Sequence, residues 1–322
     1  MKAIVQDTYG PPEVLRLKEI DTPVVGEDDV LVRVRAAAVH PGDHFIMTGV
    51  PYVLRPVYGL RRPRRGVRGF DLAGHVEAIG RNVRRFEPGD EVFGWTTTGS
   101  LAEYVCVRDD NLAPKPANVT MEQAGAVTVS AMAALLALRN TAKVRPGQRV
   151  LIVGASGGVG TFAVQIAKSL GAEVTGVCST RNVDLVRSIG ADHVVDYTTE
   201  DFTRSGRLYD VILDNVEAQP LSAVRRALAP AGTLVLNSGR GGRWIGPLGR
   251  WAKASVRSLF TRQRLRPNVS AENQRDLLVL KELIEDGAVT PVIDRTYPLG
   301  DTAEALAYVG AGHTRGKVVV TV

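Results

Sequence analysis

Cysteine is almost missing from this chain: Cys106 and Cys178 are the only two in 322 residues. So few exclude a disulfide-stapled scaffold and any four-cysteine zinc site, and they fit a reducing compartment. Aromatic residues are sparse, at 6%. No apolar stretch approaches the ~18 residues a bilayer-spanning helix needs. Residues 1–19 alternate apolar and polar side chains and lack the apolar core of a secretory leader, so the expectation is a cytoplasmic protein. Gly 33 and Pro 17 are too few for a collagen-like or low-complexity chain. Acid is locally absent: residues 240–266 carry eight Arg and Lys with no Asp or Glu, and residues 55–68 carry six Arg with none. Setting the first eight aside turns the net charge from +6 to −2, so the basicity is two patches and not a general affinity for nucleic acid.

What remains is ordinary globular composition, 44% hydrophobic and 23% charged, at a length that suits two domains. The first third reads as short strands at 2–6, 15–19, 30–38, 76–79, 91–93 and 104–107, separated by turn residues such as Gly10-Pro11-Pro12 and Pro88-Gly89-Asp90. Residues 120–139 then read as one alanine-rich helix, with Thr120 and Gln123 spaced for a capping box. From 150 to 236 strands and helices alternate, which implies a parallel sheet wrapped by helices. A helix over 272–286 follows, and the alternation then breaks. The closing strand–helix–strand segment (292–297, 302–309, 317–322) is therefore expected to return to the first domain.

The most informative segment joins the strand 150–153 to the helix 159–170 through Gly154-Ala155-Ser156-Gly157-Gly158-Val159-Gly160. Ala155, Gly157 and Gly160 have the A-x-G-x-x-G spacing of a dinucleotide turn, where small residues admit a pyrophosphate and the helix start offers N–H donors. An NAD site usually places an acid at the end of the next strand. Here that strand ends in Cys178-Ser179-Thr180-Arg181-Asn182, with hydroxyls and a guanidinium suited to a 2′-phosphate. The expected cofactor is NADPH.

Gly147-Gln148, Leu151, Ala155-Ser156-Gly157-Gly158, Gly160, Gln165 and Lys168 resemble the signature of quinone oxidoreductases (the zeta-crystallin group) in the medium-chain dehydrogenase/reductase superfamily. Similarity extends over essentially the whole chain, through residues 69–80, Pro88-Gly89-Asp90-Glu91-Val92, residues 99–104 and Gly316-Lys317-Val318-Val319. The resemblance implies an α/β protein: a doubly wound Rossmann sheet plus a β-rich, GroES-like, partly open barrel. It divides the chain into a split catalytic domain, 1–122 and 268–322, around an NAD(P)-binding domain, 123–267, with the cofactor in the cleft between them. It also implies cofactor contacts from the turn 155–160, from Ser179, Arg181 and Tyr197 (with the Thr180 hydroxyl beside them) at the adenosine 2′-phosphate, from Asn215, Ser238 and Gly239 at the C-terminal strand edge, and from Lys317 near the nicotinamide end. A homodimer is expected on the same ground.

Two departures stand out. Glu217 occupies a position where relatives usually have Gly, and His40-Pro41-Gly42-Asp43 replaces Asn-Pro-x-Asp. Where zinc-dependent relatives place metal ligands, this chain has His40, Phe70 and the apolar stretch around Val127, so no metal is expected. Without a Lewis acid, the easier hydride acceptor is a quinone or an α,β-unsaturated carbonyl. The candidate catalytic residues are His40, as donor to the substrate carbonyl or the nicotinamide ribose, Asp43, orienting a neighbour as matching residues do in relatives, and Tyr52 or Tyr58 as proton source or pocket wall. Two other readings stay open: a zinc-free alcohol or aldehyde oxidoreductase, and a non-catalytic NADPH-binding sensor or structural protein. The basic segment 240–266 interleaves cations with Trp244, Trp251, Val256, Leu259 and Phe260, and 249–261 suits an amphipathic helix. It is expected to wall the pocket and contribute to a subunit contact. A solvated surface and peripheral membrane contact are lesser readings. No transmembrane segment and no specific nucleic-acid partner are expected.

Overall fold

A computed structural model describes residues 1–64, 66–237, 242–269 and 271–322. The chain forms two compact units, one of Met1–Met132, Glu272–Gly287 and Pro291–Val322, the other of Ala133–Ala271 and Ala288–Thr290. The first begins with an antiparallel pair, β1 (Lys2–Gln6) and β2 (Leu15–Glu19). The strands β3 (Asp29–Val39), β4 (Asp71–Ile79), β5 (Glu91–Trp95), β6 (Tyr104–Arg108) and β7 (Leu112–Pro114) follow. β3 is the longest, rich in Val and Ala, and its Val30, Val32 and Val34 lie in the core with Leu72, Val76 and Val92. Each such side chain taken from water contributes about 1.5–3 kcal/mol.

The second unit is a parallel sheet. Its strands are β8 (Arg149–Val153), β9 (Glu173–Cys178), β10 (His193–Asp196), β11 (Tyr209–Asp214), β12 (Leu228–Leu236) and β13 (Arg264–Pro267). They lie in the order β10-β9-β8-β11-β12-β13. The reversal of direction in that order falls beside β8, where open α/β sheets bind ligands beyond the carboxyl ends of the strands. Leu151, Val153, Ile212, Leu234 and Leu236 alternate into one of its core faces.

Two more strands close the chain in the first unit, β14 (Ile293–Pro298) and β15 (Lys317–Thr321). β15 pairs parallel to β14 and antiparallel to β3, with Val319 opposite Ala38. The large sheet runs β14-β15-β3-β4-β5-β7, and β6 pairs with β3.

The helix read over 120–139 is broken in three: Met121–Gly125, Thr128–Leu135 and a wider turn over Leu136–Ala142. Thr120 and Gln123 do form the capping box, with bonds of 3.3 and 3.0 Å. The break follows because the Val129 N–H donates at 2.6 Å to the buried Asp71 carboxylate, which serves as a cap for a new helix start.

Candidate functional site

In the second unit β8 runs into the glycine turn and the helix Gly158–Ser169. Gly154 adopts φ +75°, a left-handed conformation that glycine reaches without strain. A side chain at Gly160 would put its Cβ 2.0 Å from the Gly154 carbonyl, so the turn closes only around a glycine there. The Gly154 and Ala155 N–H groups donate to the Val177 carbonyl and tie the turn to β9. The first N–H groups of the helix have no intrahelical acceptor and favour an anion. Backbone and charge both fit the pyrophosphate of a dinucleotide.

Asn182 is the residue that sequence reasoning missed. It is buried, and its amide donates to Ser156 Oγ at 3.0 Å and to Ser179 Oγ at 3.3 Å. One side chain thus links the phosphate turn to the end of β9. An Asn four residues past the end of a strand looks like ordinary loop chemistry, and only its burial marks it.

Beyond β9, Arg181 and Tyr197 are both exposed at the surface. The Tyr197 N–H donates to the Cys178 carbonyl at 3.0 Å, which sets β10's exit beside Ser179. Thr180 and Thr198 share a hydroxyl contact of 2.9 Å. Asp196, also at this edge, is engaged: hydrogen bonds from Thr180 and Thr198 hold its carboxyl below the usual range.

At the C-terminal edge an asparagine ladder crosses three strands. The Asn237 amide donates to Asn215 Oδ1 at 2.8 Å, and the Asn268 amide to Asn237 Oδ1 at 2.6 Å. Asn215 in turn donates to the Val153 carbonyl at 3.1 Å. Ser238 and Gly239 lie outside the described residues. Below the ladder, Arg250 pairs with Asp214 Oδ2 at 2.8 Å and with Glu217 Oε1 at 3.3 Å. Burial pushes the Asp214 carboxyl up, against the pull of Arg250. Glu217 has φ +59°, which explains why a glycine suits this position.

In the first unit the helix Pro41–Thr48 starts on a capping box formed by two of the predicted catalytic residues. Asp43 Oδ2 accepts from the His40 N–H at 2.9 Å, and His40 Nδ1 accepts from the Gly42 N–H at 3.0 Å. The proton of the neutral ring therefore sits on Nε2, which is buried 3.4 Å from Asp43 Oδ2 but makes no well-aimed hydrogen bond. Burial, then the Lys317 charge, lowers the His40 pKa to about 4, while burial raises Asp43 to about 7. Tyr58 feels the Asp43 charge, and burial raises its hydroxyl pKa. The Tyr52 ring lies under the Arg55 guanidinium at 4.5 Å. Lys317 is 2% exposed, with Nζ 3.2 Å from Asp71 Oδ2 and 2.8 Å from Ser130 Oγ. The structure thus brings His40 and Asp43 together, leaves Tyr58 within reach of the Asp43 charge, and gives Lys317 an internal counter-charge.

Two family models match the chain: the alcohol dehydrogenase GroES-like domain over residues 26–117 and the zinc-binding dehydrogenase over 189–320. The mouse protein "NAD(P)H oxidoreductase RTN4IP1, mitochondrial" (Mus musculus) is 36% identical, covering 100% of this chain and 89% of that one. The chain belongs to the medium-chain dehydrogenase/reductase superfamily, in its quinone oxidoreductase group. The Arabidopsis thaliana protein "NADPH-dependent alkenal/one oxidoreductase, chloroplastic" is 32% identical over 99% of this chain and 79% of its own length. A solved quinone oxidoreductase from Coxiella burnetii superposes with a TM-score of 0.88 at 28% identity, over 100% of this chain and 99% of that one. This oxidoreductase carries no three His, Cys, Asp or Glu close enough to share a metal ion among the described residues. His40 already spends Nδ1 on the Gly42 N–H, and Cys106 and Cys178 lie on strands of different units.

Proposed function

We propose that this oxidoreductase uses NADPH to reduce a quinone or an α,β-unsaturated carbonyl. The observation that carries the reading is the end of β9, where Ser179, Thr180 and Arg181 stand in place of a ribose-binding acid. Asn182 fastens this segment to the phosphate turn. Residues 155–160 would hold the pyrophosphate, Ser179, Thr180, Arg181 and Tyr197 the 2′-phosphate, and the Asn215–Asn237–Asn268 ladder would shape the nicotinamide edge. Bound NADPH supplies the hydride. The split β-rich part, 1–122 and 268–322, would serve as catalytic domain and 123–267 as the cofactor domain.

In this reading His40 acts as a neutral hydrogen-bond donor. Its Nε2–H makes no well-aimed hydrogen bond, Asp43 Oδ2 lying 3.4 Å away, and burial keeps the ring uncharged at neutral pH. Such a donor stabilises the oxygen that gains negative charge in an enolate or quinol without giving up its own proton. Asp43 positions His40 by accepting its backbone N–H, and Tyr58 would serve as a pocket residue within reach of the Asp43 charge.

The test is cofactor discrimination. Arg181→Ala should weaken NADPH by about 10–100-fold, the worth of a charged hydrogen bond, and leave NADH nearly unchanged. Equal weakening of both would remove the phosphate assignment. NADPH oxidation is then followed with an ortho-quinone and a simple enone after chelator treatment. Failure with both acceptors while NADPH binds would refute the substrate class.

A further inference from the structure

The helix Leu248–Ser258, inside the acid-free segment, has two apolar sides. One is used: Ala254 is fully buried and Trp251 packs on the core of the second unit, while Arg250 is fastened to Asp214 and Glu217. The other is not. Leu248, Ala252, Val256 and Leu259 recur at the spacing that places residues on one helix stripe, well away from Ala254. Leu248 and Val256 are exposed, and Leu259 and Phe260, at the helix end, are 80% and 81% exposed. Lys253 borders the stripe and is exposed, as is Arg257 one turn further on.

Immediately beyond Phe260, Thr261 and Arg262 line a pocket of about 380 Å³ together with Ser222, Arg225 and Arg226. Three arginines and two hydroxyl-bearing residues lining one hollow, with Pro230 and Gln263, suit a phosphate oxyanion. The Arg225 fork is held in place, because its Nε donates to Gln263 Oε1 at 2.9 Å. Asp201 is close enough to feel Arg226, so it partly offsets that charge.

We propose that this face docks on an anionic phospholipid bilayer. The Arg225–Arg226–Arg262 pocket would take a lipid phosphate, and Leu259, Phe260 and the helix stripe would enter the acyl boundary. Charge selects this occupant. A second copy seated face to face would bring Lys253, Arg257 and Arg262 of both copies together, with no acid in 240–266 to relieve them. A polyanion without hydrocarbon would leave Leu259 and Phe260 uncovered. An anionic bilayer supplies both phosphate and hydrocarbon, and amphipathic basic helices use both. An enzyme held there meets acceptors that dissolve in lipid.

The experiment is co-sedimentation of the full chain with vesicles of phosphatidylcholine alone, or of equimolar phosphatidylcholine and phosphatidylglycerol. Binding is expected to the anionic vesicles only, weakening as salt rises. Each arginine near such a surface is worth about fivefold in partitioning, so R225Q/R262Q should lower it by about 25-fold. L259S/F260S should lower it at least tenfold with the melting temperature unchanged, since both side chains are solvated in the free protein. Absence of binding, equal binding to neutral vesicles, or a dimer lost in L259S/F260S would overturn the proposal. So would binding that inorganic phosphate fully displaces and L259S/F260S leaves intact, which assigns the pocket to soluble phosphate.

Discussion

Replacing Lys317 by Met should destabilise the first unit severely. The ammonium is 2% exposed and Asp71 is fully buried, 3.2 Å away, with Ser130 Oγ at 2.8 Å. Asp71 keeps one further bond, from the Val129 N–H at 2.6 Å. That bond cannot compensate a carboxylate left without its cation. Removing one partner of a buried pair costs about 3–5 kcal/mol, chiefly as the penalty on the charge that remains. For a unit of this size that is a fall of about 6–20 °C in melting temperature. The double variant Asp71→Asn/Lys317→Met removes both charges and retains a polar group for Val129, so it should recover most of the loss. The assay is a double-mutant cycle by urea unfolding, with NADPH affinity measured on each folded variant. A single-variant cost under about 1 kcal/mol, or a double-variant cost equal to the sum of the singles, would refute the argument. A drop in NADPH affinity that persists in the stable double variant would show that Lys317 also serves the cofactor.

Other consequences can be checked in the same way. Asn182→Ala should weaken NADPH and NADH alike, by about 5–30-fold, because it loosens the phosphate turn through two lost hydrogen bonds; titration of both cofactors reads this, and a loss confined to NADPH contradicts it. Glu217→Gly should be more stable than Glu217→Ala by about 1 kcal/mol, since only the alanine retains the cost of φ +59°; chemical unfolding giving the reverse order defeats the strain argument. Between pH 4 and 6.5 the two buried groups of the Pro41 capping box act oppositely. His40, lowered to about 4, makes stability rise with pH, while Asp43, raised to about 7, makes it fall as the pH climbs toward 7. Asp43→Asn should therefore give an unfolding midpoint that climbs more steeply than wild type from pH 4.5 to 6.5. A shallower climb would mean that Asp43 is not held protonated by burial.

Some of this molecule is written locally. The turn 154–160 is legible because a tight phosphate-binding bend demands small residues between a buried strand and a helix, and Gly154 and Gly160 meet that demand through φ and contact distance. The capping box at Thr120 and the amphipathic helix in the acid-free segment are local patterns too, fixed by spacings of three and four residues. The break after Gly125 was not legible, since it depends on Asp71, distant in sequence, reaching the Val129 N–H. Likewise the sequence shows Lys317, Asp71 and Ser130 as unrelated residues, and only strand pairing brings β15 against β3 and so encloses them. Asn182, the asparagine ladder and the Arg225–Arg226–Arg262 pocket belong to the same class. Periodicity and turn chemistry act over a few residues and determine which elements form. Burial, counter-charges and orphaned donors arise from contacts between residues far apart, and those are decided when the elements pack.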